Sequence, residues 1–433
     1  MIRRCGTLAA SLGLLAILGG GAFPRASLAD VPAADIPPSS KPPALDSDRD
    51  WKRRSRAPGV VVAVGFDDIR EWARYNWDRH DCNPDYQVRV DGKMAGCRNN
   101  AWDPRIRTSG KGSLRFDILP RTGEDGGGSL AIPFGDYATR QFGADSEFWV
   151  SWRQRMDERY YQGYRAQNGD VTYFKHVIIA QGDMPIPGPA RILTANACSE
   201  AELVIVSSDP RSGPPFPAGY IECHRYLGFK QVLARGSYAG DPGGHTVVTA
   251  QNMRTDPHGG FNCISYPPKT MDQSGCFTYA PNEWITYMVH VKLGPEGRAV
   301  SSASGREQPG YTDSLYELYA ARNGDDFQLL HRQGDIVIPK GQYYVGGDPI
   351  LKSSYQGGWS PSNGHPQARY GKLWLLSFMT AKDPTEATDK ASTWYDEVIV
   401  SRCPIAAPGY PASGQCNAVP APASKRLAAK AGR

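Results

Sequence analysis

The stretch Ser392-Thr393-Trp394-Tyr395-Asp396-Glu397-Val398-Ile399-Val400-Ser401, followed at once by Arg402-Cys403-Pro404, is dominated by β-branched and aromatic residues. Such side chains fit a pleated, half-buried surface, so the run reads as a strand. A counterpart, Val60-Val61-Val62-Ala63-Val64-Gly65-Phe66-Asp67-Asp68, stands at the other end of the body. Both carry an acidic pair, and together they predict a domain whose first and last strands meet in one sheet. About 345 residues lie between these ends, with no helical period and no internal repeat. Short extended runs recur instead: Ser113–Ile118, Glu147–Met156, Thr172–Gln181, Glu202–Ser207, Glu283–Leu293, Leu315–Ala320, Gln328–His331, Leu373–Met379 and Trp394–Val400. Clusters such as Glu124-Asp125-Gly126-Gly127-Gly128 punctuate them. Many strands with turn-rich punctuation indicate a sandwich or barrel. The irregular spacing and long loops argue against a small immunoglobulin-like domain, and the length is allowed for one all-β domain.

The ends have a different character. Arg3-Arg4, the apolar run Leu8 to Ile17 and Ser27-Leu28-Ala29 read as a signal peptide over residues 1–29. The apolar run is too short to span a bilayer, so a soluble, secreted or periplasmic protein is expected. Residues 30–57, rich in Pro, Ser and charge, read as a disordered linker, and 404–433 as a Pro/Ala-rich basic tail. This leaves 58–403 as the folded domain. The net charge of +5 misleads: the signal holds three of the positive charges, the tail four, and neither holds an acid. The body is therefore near −2, and no basic face for nucleic acid is implied.

Of nine cysteines, Cys5 lies in the signal and eight remain for an oxidising compartment. They fall in sequential pairs: Cys82 and Cys97, Cys198 and Cys223, Cys263 and Cys276, Cys403 and Cys416. Eight cysteines allow about 105 pairings, of which the sequential one is the simplest. No Cys-x-x-Cys pair supports zinc.

Three strands carry candidate chemistry. Alternation along Glu147–Met156 puts Trp149, Ser151, Arg153 and Arg155 on one face, a ring to stack on a sugar beside guanidinium forks for hydroxyls or a carboxylate. An ordinary solvent-facing strand would look the same. In Thr172–Gln181, His176 shares a face with Phe174, Ile178 and Ala180, whereas Lys175 and Gln181 lie on the other. In Glu283–Leu293, His290 and Lys292 point away from the more apolar Ile285, Tyr287, Val289 and Val291. A His and a Lys there can move a proton, hydrogen-bond a sugar, or simply be surface charge. Asp67, Asp68 and Asp396 offer oxygens for a structural calcium ion if the terminal strands meet, although no Asp-x-Asp-x-Asp loop is present. No other cofactor is required.

Gly-x-Ser-x-Gly, Walker, His-Glu-x-x-His and Gly-x-Gly-x-x-Gly motifs are missing. So is the Glu-x-Asp-x-x-Glu strand of a jelly-roll glucanase; Glu200 and Glu202 are the only close glutamate pair on a strand. Glycoside hydrolysis, which needs two carboxyls at a set spacing, is disfavoured.

Six segments carry a likeness: Phe66-Asp67-Asp68, Phe148–Arg153, Lys175–Ile179, Asn282–Tyr287, Tyr370–Leu376 and Thr393–Ser401. On these the chain resembles the concanavalin A-like lectin/glucanase superfamily, in particular its secreted jelly-roll polysaccharide lyase-like members, over residues 58–403. The resemblance implies an all-β, concanavalin A-like β-jelly-roll sandwich of two antiparallel sheets. Family lyases carry arginines on one concave strand, a Gln and a His on the next, and a Tyr on a later one. That implies Arg153 and Arg155, then His176 and Gln181, then Tyr343 or Tyr344. The expected function is a polysaccharide lyase cleaving an acidic glycan by β-elimination. Arg153, Arg155, His176, His290 and Lys292 would serve as catalytic candidates, and Trp149, Gln181, Glu202 and Tyr343 as substrate-binding ones. The alternatives are a carbohydrate-binding protein without catalysis and, behind it, a glycoside hydrolase. The expected partner is a polysaccharide and the expected state a monomer.

Overall fold

Strands with one apolar face must bury it against another layer, and in the computed structural model two antiparallel sheets do this. The structure describes residues 47–75, 87–90, 93–97, 100–123, 128–165, 167, 174–182, 184–185, 192–193, 202–207, 217–222, 246–249, 277–300, 307–339, 369–379, 382–387, 389–412 and 416. All fall within the unit Pro42–Arg433. In chain order the strands are β1 (Val60–Val64), β2 (Gln87–Val90), β3 (Lys93–Cys97), β4 (Asn100–Asp103), β5 (Ser113–Ile118), β6 (Ser129–Pro133), β7 (Glu147–Met156), β8 (Lys175–Gln181), β9 (Met184–Pro185) and β10 (Ile192–Leu193). They continue with β11 (Glu202–Ser207), β12 (Pro217–Glu222), β13 (Thr246–Thr249), β14 (Trp284–Lys292), β15 (Glu296–Val300), β16 (Glu307–Arg322), β17 (Gln328–Pro339), β18 (Tyr370–Leu376) and β19 (Ala391–Ser401). Short helices α1 (Ser47–Ser55), α2 (Ile69–Tyr75) and α3 (Glu158–Gln162) accompany them.

The larger sheet runs β15-β16-β14-β7-β19-β5-β4, with β17 also on β16 and β1 also on β19; the smaller runs β13-β12-β11-β8-β18-β6. Pairs β2–β3 and β9–β10 stand apart. The core between the sheets takes Phe148, Val150, Trp152, Tyr287, Val289 and Tyr395 from the larger sheet. Val177, Ile179, Leu373 and Leu375 come from the smaller. The expected alternation of β7 and β14 holds, and it leaves Trp149, Arg153, Met288 and His290 on the outer side of the larger sheet.

The first and last strands do meet: β1 runs antiparallel to β19, with Val64 opposite Val398. One side of β19 is held by β7, whereas the other is shared, β5 taking Ala391–Tyr395 and β1 taking Val398–Ser401. At the changeover the pairing with β7 slips between Asp396 and Ile399, and Glu397 adopts φ 49°. A bulge of this kind re-aims the chain locally. Strict alternation groups Trp394, Asp396, Val398 and Val400 on one face; past the bulge, Val398 and Val400 turn into the core and Ile399 packs outside.

The boundaries move outward. Residues 47–55, at the end of the stretch expected to be a disordered linker, form α1, with acids in its first turn and bases in its last, as the helix dipole favours. Trp51 packs with Trp149, Met288, Ile399 and Ile405 on the outer side of the larger sheet. Likewise Ile405, Ala406 and Ala407, at the start of the expected tail, are buried. Cys403 and Cys416 form the expected disulfide; the partners expected for Cys97, namely Cys82, and the pairs Cys198–Cys223 and Cys263–Cys276 lie outside the described residues.

Candidate functional site

Adjacent strands β7, β14 and β16 bring Glu147, His290 and Glu317 together across two neighbouring rows: Lys292 stands opposite Glu147, and Trp149, His290 and Glu317 face one another in the next, so that Glu147 lies diagonal to His290. His290 Nε2 lies 2.7 Å from Glu147 Oε1 and Nδ1 lies 2.5 Å from Glu317 Oε2. Carboxylates only accept, so both ring nitrogens donate and the ring is an imidazolium. Burial works against that charge, yet the bonds to Glu147 and Glu317 outweigh it and raise the His290 pKa above the ordinary value. The bond from His290 lowers the Glu147 pKa. For Glu317, burial pushes upward but His290 and Tyr319 together pull the value down. Tyr319 Oη donates to Glu317 at 2.8 Å, and Arg332 Nη1 sits 3.2 Å from its other oxygen. Trp149 stacks flat on the imidazole, centroids 4.4 Å apart, so that face of the indole is covered. Glu147 is 43% exposed and Arg332 61%, and Lys292 is exposed, so the cluster opens to solvent on one side.

These shifts fix a pH window. The imidazole pKa is raised in the fold, so its stabilisation is complete below about 6.5 and fades as pH rises through the folded value. The two carboxylates are lowered, so theirs is complete above about 4.3 and fades as pH falls through the folded values. The cluster's contribution, read as the difference in denaturant midpoint between the parent and His290→Gln, is therefore expected to be greatest between these limits and to shrink above neutrality. A difference that stays constant across this pH range would refute the assignment.

Arg153 sits four residues from Trp149, about 13 Å along β7, and belongs to a second, closed cluster. The bulge directs Asp396 and Glu397 beneath α1, where Glu397 Oε2 accepts from Arg54 Nη2 and lies 3.6 Å from Arg153 Nη1. Arg54 Nε also donates to Asp50 at 2.6 Å, and Arg153 Nη2 donates to Asn323 at 2.9 Å. Burial pushes the Glu397 pKa upward, but Arg54 and Arg153 prevail and hold it low. Asp396, enclosed and beside Glu397, is raised well above the carboxylate range, and its Oδ2 accepts from Thr108 N and Oγ1. Arg155 leans over the Trp394 ring at 5.8 Å and donates to Asn282.

His176 is enclosed between the sheets. The β8–β11 register slips between Ile205 and Val206, so Val206 faces Lys175 and His176 is skipped. This bulge turns His176 and Val177 inward together, whereas alternation groups His176 with Ile178 and Ala180, which pack on the outer side. Gln154 Nε2 donates to Thr393 Oγ1 and Tyr395 Oη, so its Oε1 accepts from His176 Nδ1 at 2.7 Å. Nε2 then accepts from Tyr279 Oη at 2.9 Å. Both nitrogens are satisfied in the neutral ring, and burial lowers its pKa to about 3. A group so enclosed cannot touch a polymer.

Gln181 is also fully buried, and among the described residues its amide atoms find no hydrogen-bond partner. Glu202 stands on β11 opposite Ala180, in a cross-strand row that continues to Lys372. Tyr343 and Tyr344 lie outside the described residues. Asp67 accepts from Lys111 N, and Asp68 accepts from Arg70 N at the start of α2. Among the described residues no three His, Cys, Asp or Glu side chains are grouped to hold a metal ion, and no described helix is long and apolar enough to cross a membrane. Thus the structure brings His290, Lys292 and Trp149 together, and it separates them from Arg153, Arg155 and His176. Sequence reasoning missed Glu147, Glu317, Tyr319 and Arg332. A signal existed, since Glu317 and Tyr319 alternate onto one face of the run Leu315–Ala320.

No family model and no curated protein matches the chain. Solved structures similar to it include the marine PL-14 alginate lyase from Aplysia kurodai, at 10% identity and TM-score 0.40, over 70% of this chain and 87% of that one. Alginate lyase Aly36B is similar at 11% identity and TM-score 0.35, over 80% and 93%. Alginate lyase vAL-1 from Chlorella virus is similar at 12% identity and TM-score 0.30, over 70% and 93%. At such values the chemistry of this chain rests on its own residues.

Proposed function

We propose that this jelly-roll protein is a polysaccharide lyase acting on an acidic glycan, with its centre on Glu147, His290 and Lys292. The observation that carries the reading is the cluster itself. Of the histidines whose side chains are described, His176 is sealed in the core, whereas His290 binds two carboxylates, half-exposed Glu147 beside Lys292 and Glu317 beside Arg332. Lys292 and Arg332 would neutralise a uronate carboxylate and so acidify the C5 proton. Glu147 would take that proton, the electrons forming the C4=C5 double bond as the C4–O bond breaks. The protonated Glu147 would then return the proton to the leaving oxygen. His290, held by Glu317, orients Glu147.

One observation favours a second reading. The bond from His290 lowers the Glu147 pKa, which weakens it as a base and suits a site that binds glycan without cleaving it. Incubation with alginate, glucuronan and other uronate polymers separates the two. Unsaturated ends absorbing in the ultraviolet are expected. Retention on such a polymer without any absorbance would sink the lyase reading and leave the binding one.

A further inference from the structure

Helix α1 is clamped to the outer side of the larger sheet and turns a basic face to solvent. Its inward side is fixed by packing and by charge. Trp51 packs with Trp149, Met288, Ile399 and Ile405. Arg54 binds both Asp50 and Glu397, and Asp50 Oδ1 also accepts from Gly409 N at 3.2 Å. The opposite side carries Arg49, Lys52, Arg53 and Arg56, all exposed, the last in the turn that ends the helix. Spacings of three and four set these cations side by side. Such an arrangement raises the energy of the helix alone and lowers that of a bound polyanion. The two acids of the helix do not interrupt this face. Asp50 is buried beneath Arg53 and Arg54, and Asp48 stands at the helix start, where its Oδ1 accepts from Gly110 N at 2.8 Å. Arg53 is drawn towards Asp50 and towards Tyr410 O, yet its side chain remains 47% exposed.

The place of this face decides its partner. Trp51 packs in one group with Trp149, and Trp149 stacks on His290, so α1 stands beside the Glu147–His290 cluster. Its outward face lies about 10 Å, one helix diameter, above the sheet there. A neutral sugar chain gains only hydrogen bonds from such a face, whereas a uronate chain leaving the cluster meets cations spaced along its path. The segment after β19 adds charge of the same sign. It touches α1 at Gly409 and Tyr410, and the chain continuing from there holds Lys425, Arg426, Lys430 and Arg433 without an acid. On the far side Tyr410 Oη donates to Gly324 O, and the exposed Asp325 and Asp326 bound the basic surface. We propose that the outward face of α1, carried by Lys52, Arg53 and Arg56, is a second binding surface over which an acidic polysaccharide held at the Glu147–His290 cluster continues. The inference rests on the acidic-glycan reading above and needs no cleavage.

The test is affinity electrophoresis of the full chain through gels containing alginate, polygalacturonate or neutral dextran, at low ionic strength where exposed charges are least screened. Lys52→Gln/Arg56→Gln is expected to bind both uronate polymers about fivefold more weakly, with no change on neutral dextran. Lys52→Glu gives a second measurement that misfolding cannot imitate. It places an acid four residues before Arg56, a pairing that favours the helix, so affinity should fall by a similar factor while the denaturant midpoint is kept. Arg70→Gln/Arg74→Gln removes the same charge from exposed positions on α2 and should stay within about twofold of the parent. Equal weakening by the α1 and α2 variants would mean that net charge alone is read, and overturns the surface. A parent that binds neither polymer, or α1 variants within about twofold of it, overturn it as well. Co-sedimentation with vesicles of anionic phospholipid covers the other polyanion: binding there and to neither polymer removes the glycan as partner. If no uronate polymer yields unsaturated ends while binding still depends on α1, the lyase reading falls and the surface stands. Unsaturated ends formed with the same KM by parent and Lys52→Gln/Arg56→Gln overturn the surface alone.

Discussion

Replacing Glu397 with glutamine is expected to lower the unfolding free energy by about 3–5 kcal/mol. The side chain is almost wholly buried and lies against Arg54 and Arg153, which are buried as well. Both guanidiniums stay charged in any accessible range, so removing the shared carboxylate deprives Arg153 of its anion in a low-dielectric site and leaves Arg54 to Asp50 alone. Asp396 compensates only in part: burial still favours its protonated form, although the Glu397 charge that also raised it is gone in the variant. Asp50 cannot serve both, since it already binds Arg53 and Arg54. A double-variant cycle gives the sharper measurement. Arg54→Met is expected to cost several kcal/mol in the parent and much less on the Glu397→Gln background, because the charge that made Arg54 worth keeping is gone. Denaturant titrations giving a loss below about 1 kcal/mol for Glu397→Gln would mean that the cluster behaves as a surface pair.

The second large effect concerns activity. Glu147→Gln is expected to reduce the rate of unsaturated-end formation by about 10²–10⁴, because the proposed proton acceptor is lost while the shape is kept. His290 does not touch the substrate in this scheme and acts as a positioning residue. His290→Gln should therefore lower kcat with little change in KM, and should also move the acidic limb of the pH–rate profile towards higher pH as Glu147 loses the bond that lowers its pKa. Lys292→Met, which removes a cation that acidifies the C5 proton, should lower kcat as well as raise KM. Full activity of Glu147→Gln would remove the cluster from the mechanism.

Much of the architecture was legible because the larger sheet buries one face and leaves the other polar. The period of two assigns Phe148, Val150 and Trp152 to the core and Trp149 and Arg153 to the outside, as observed. The pairing of the terminal strands was legible for the same reason. What escaped were departures from that period. The bulges at His176 and at Asp396–Glu397 each move a polar side chain to the opposite face, and nothing in the local residue types marks them. Helix α1 escaped because its apolar stripe is one residue wide; Trp51, with Asp50 and Arg54 at helical spacing, was the available trace. Glu147 and Glu317 required knowing which strands are neighbours, a matter of tertiary register.

The last strand in sequence is among the most central in space, since β7, β5 and β1 all pair with β19. A ribosome that has released everything up to residue 390 has therefore delivered a larger sheet in three unjoined pieces, the β1 strand alone among them, each with a raw edge along the line that β19 later fills. Folding of that sheet must wait for the final portion of the message, and its rate is governed by closure across more than three hundred residues. A nonsense mutation shortly before Ala391 would leave an open-edged aggregate, whereas one past Cys416 would leave the sheet intact.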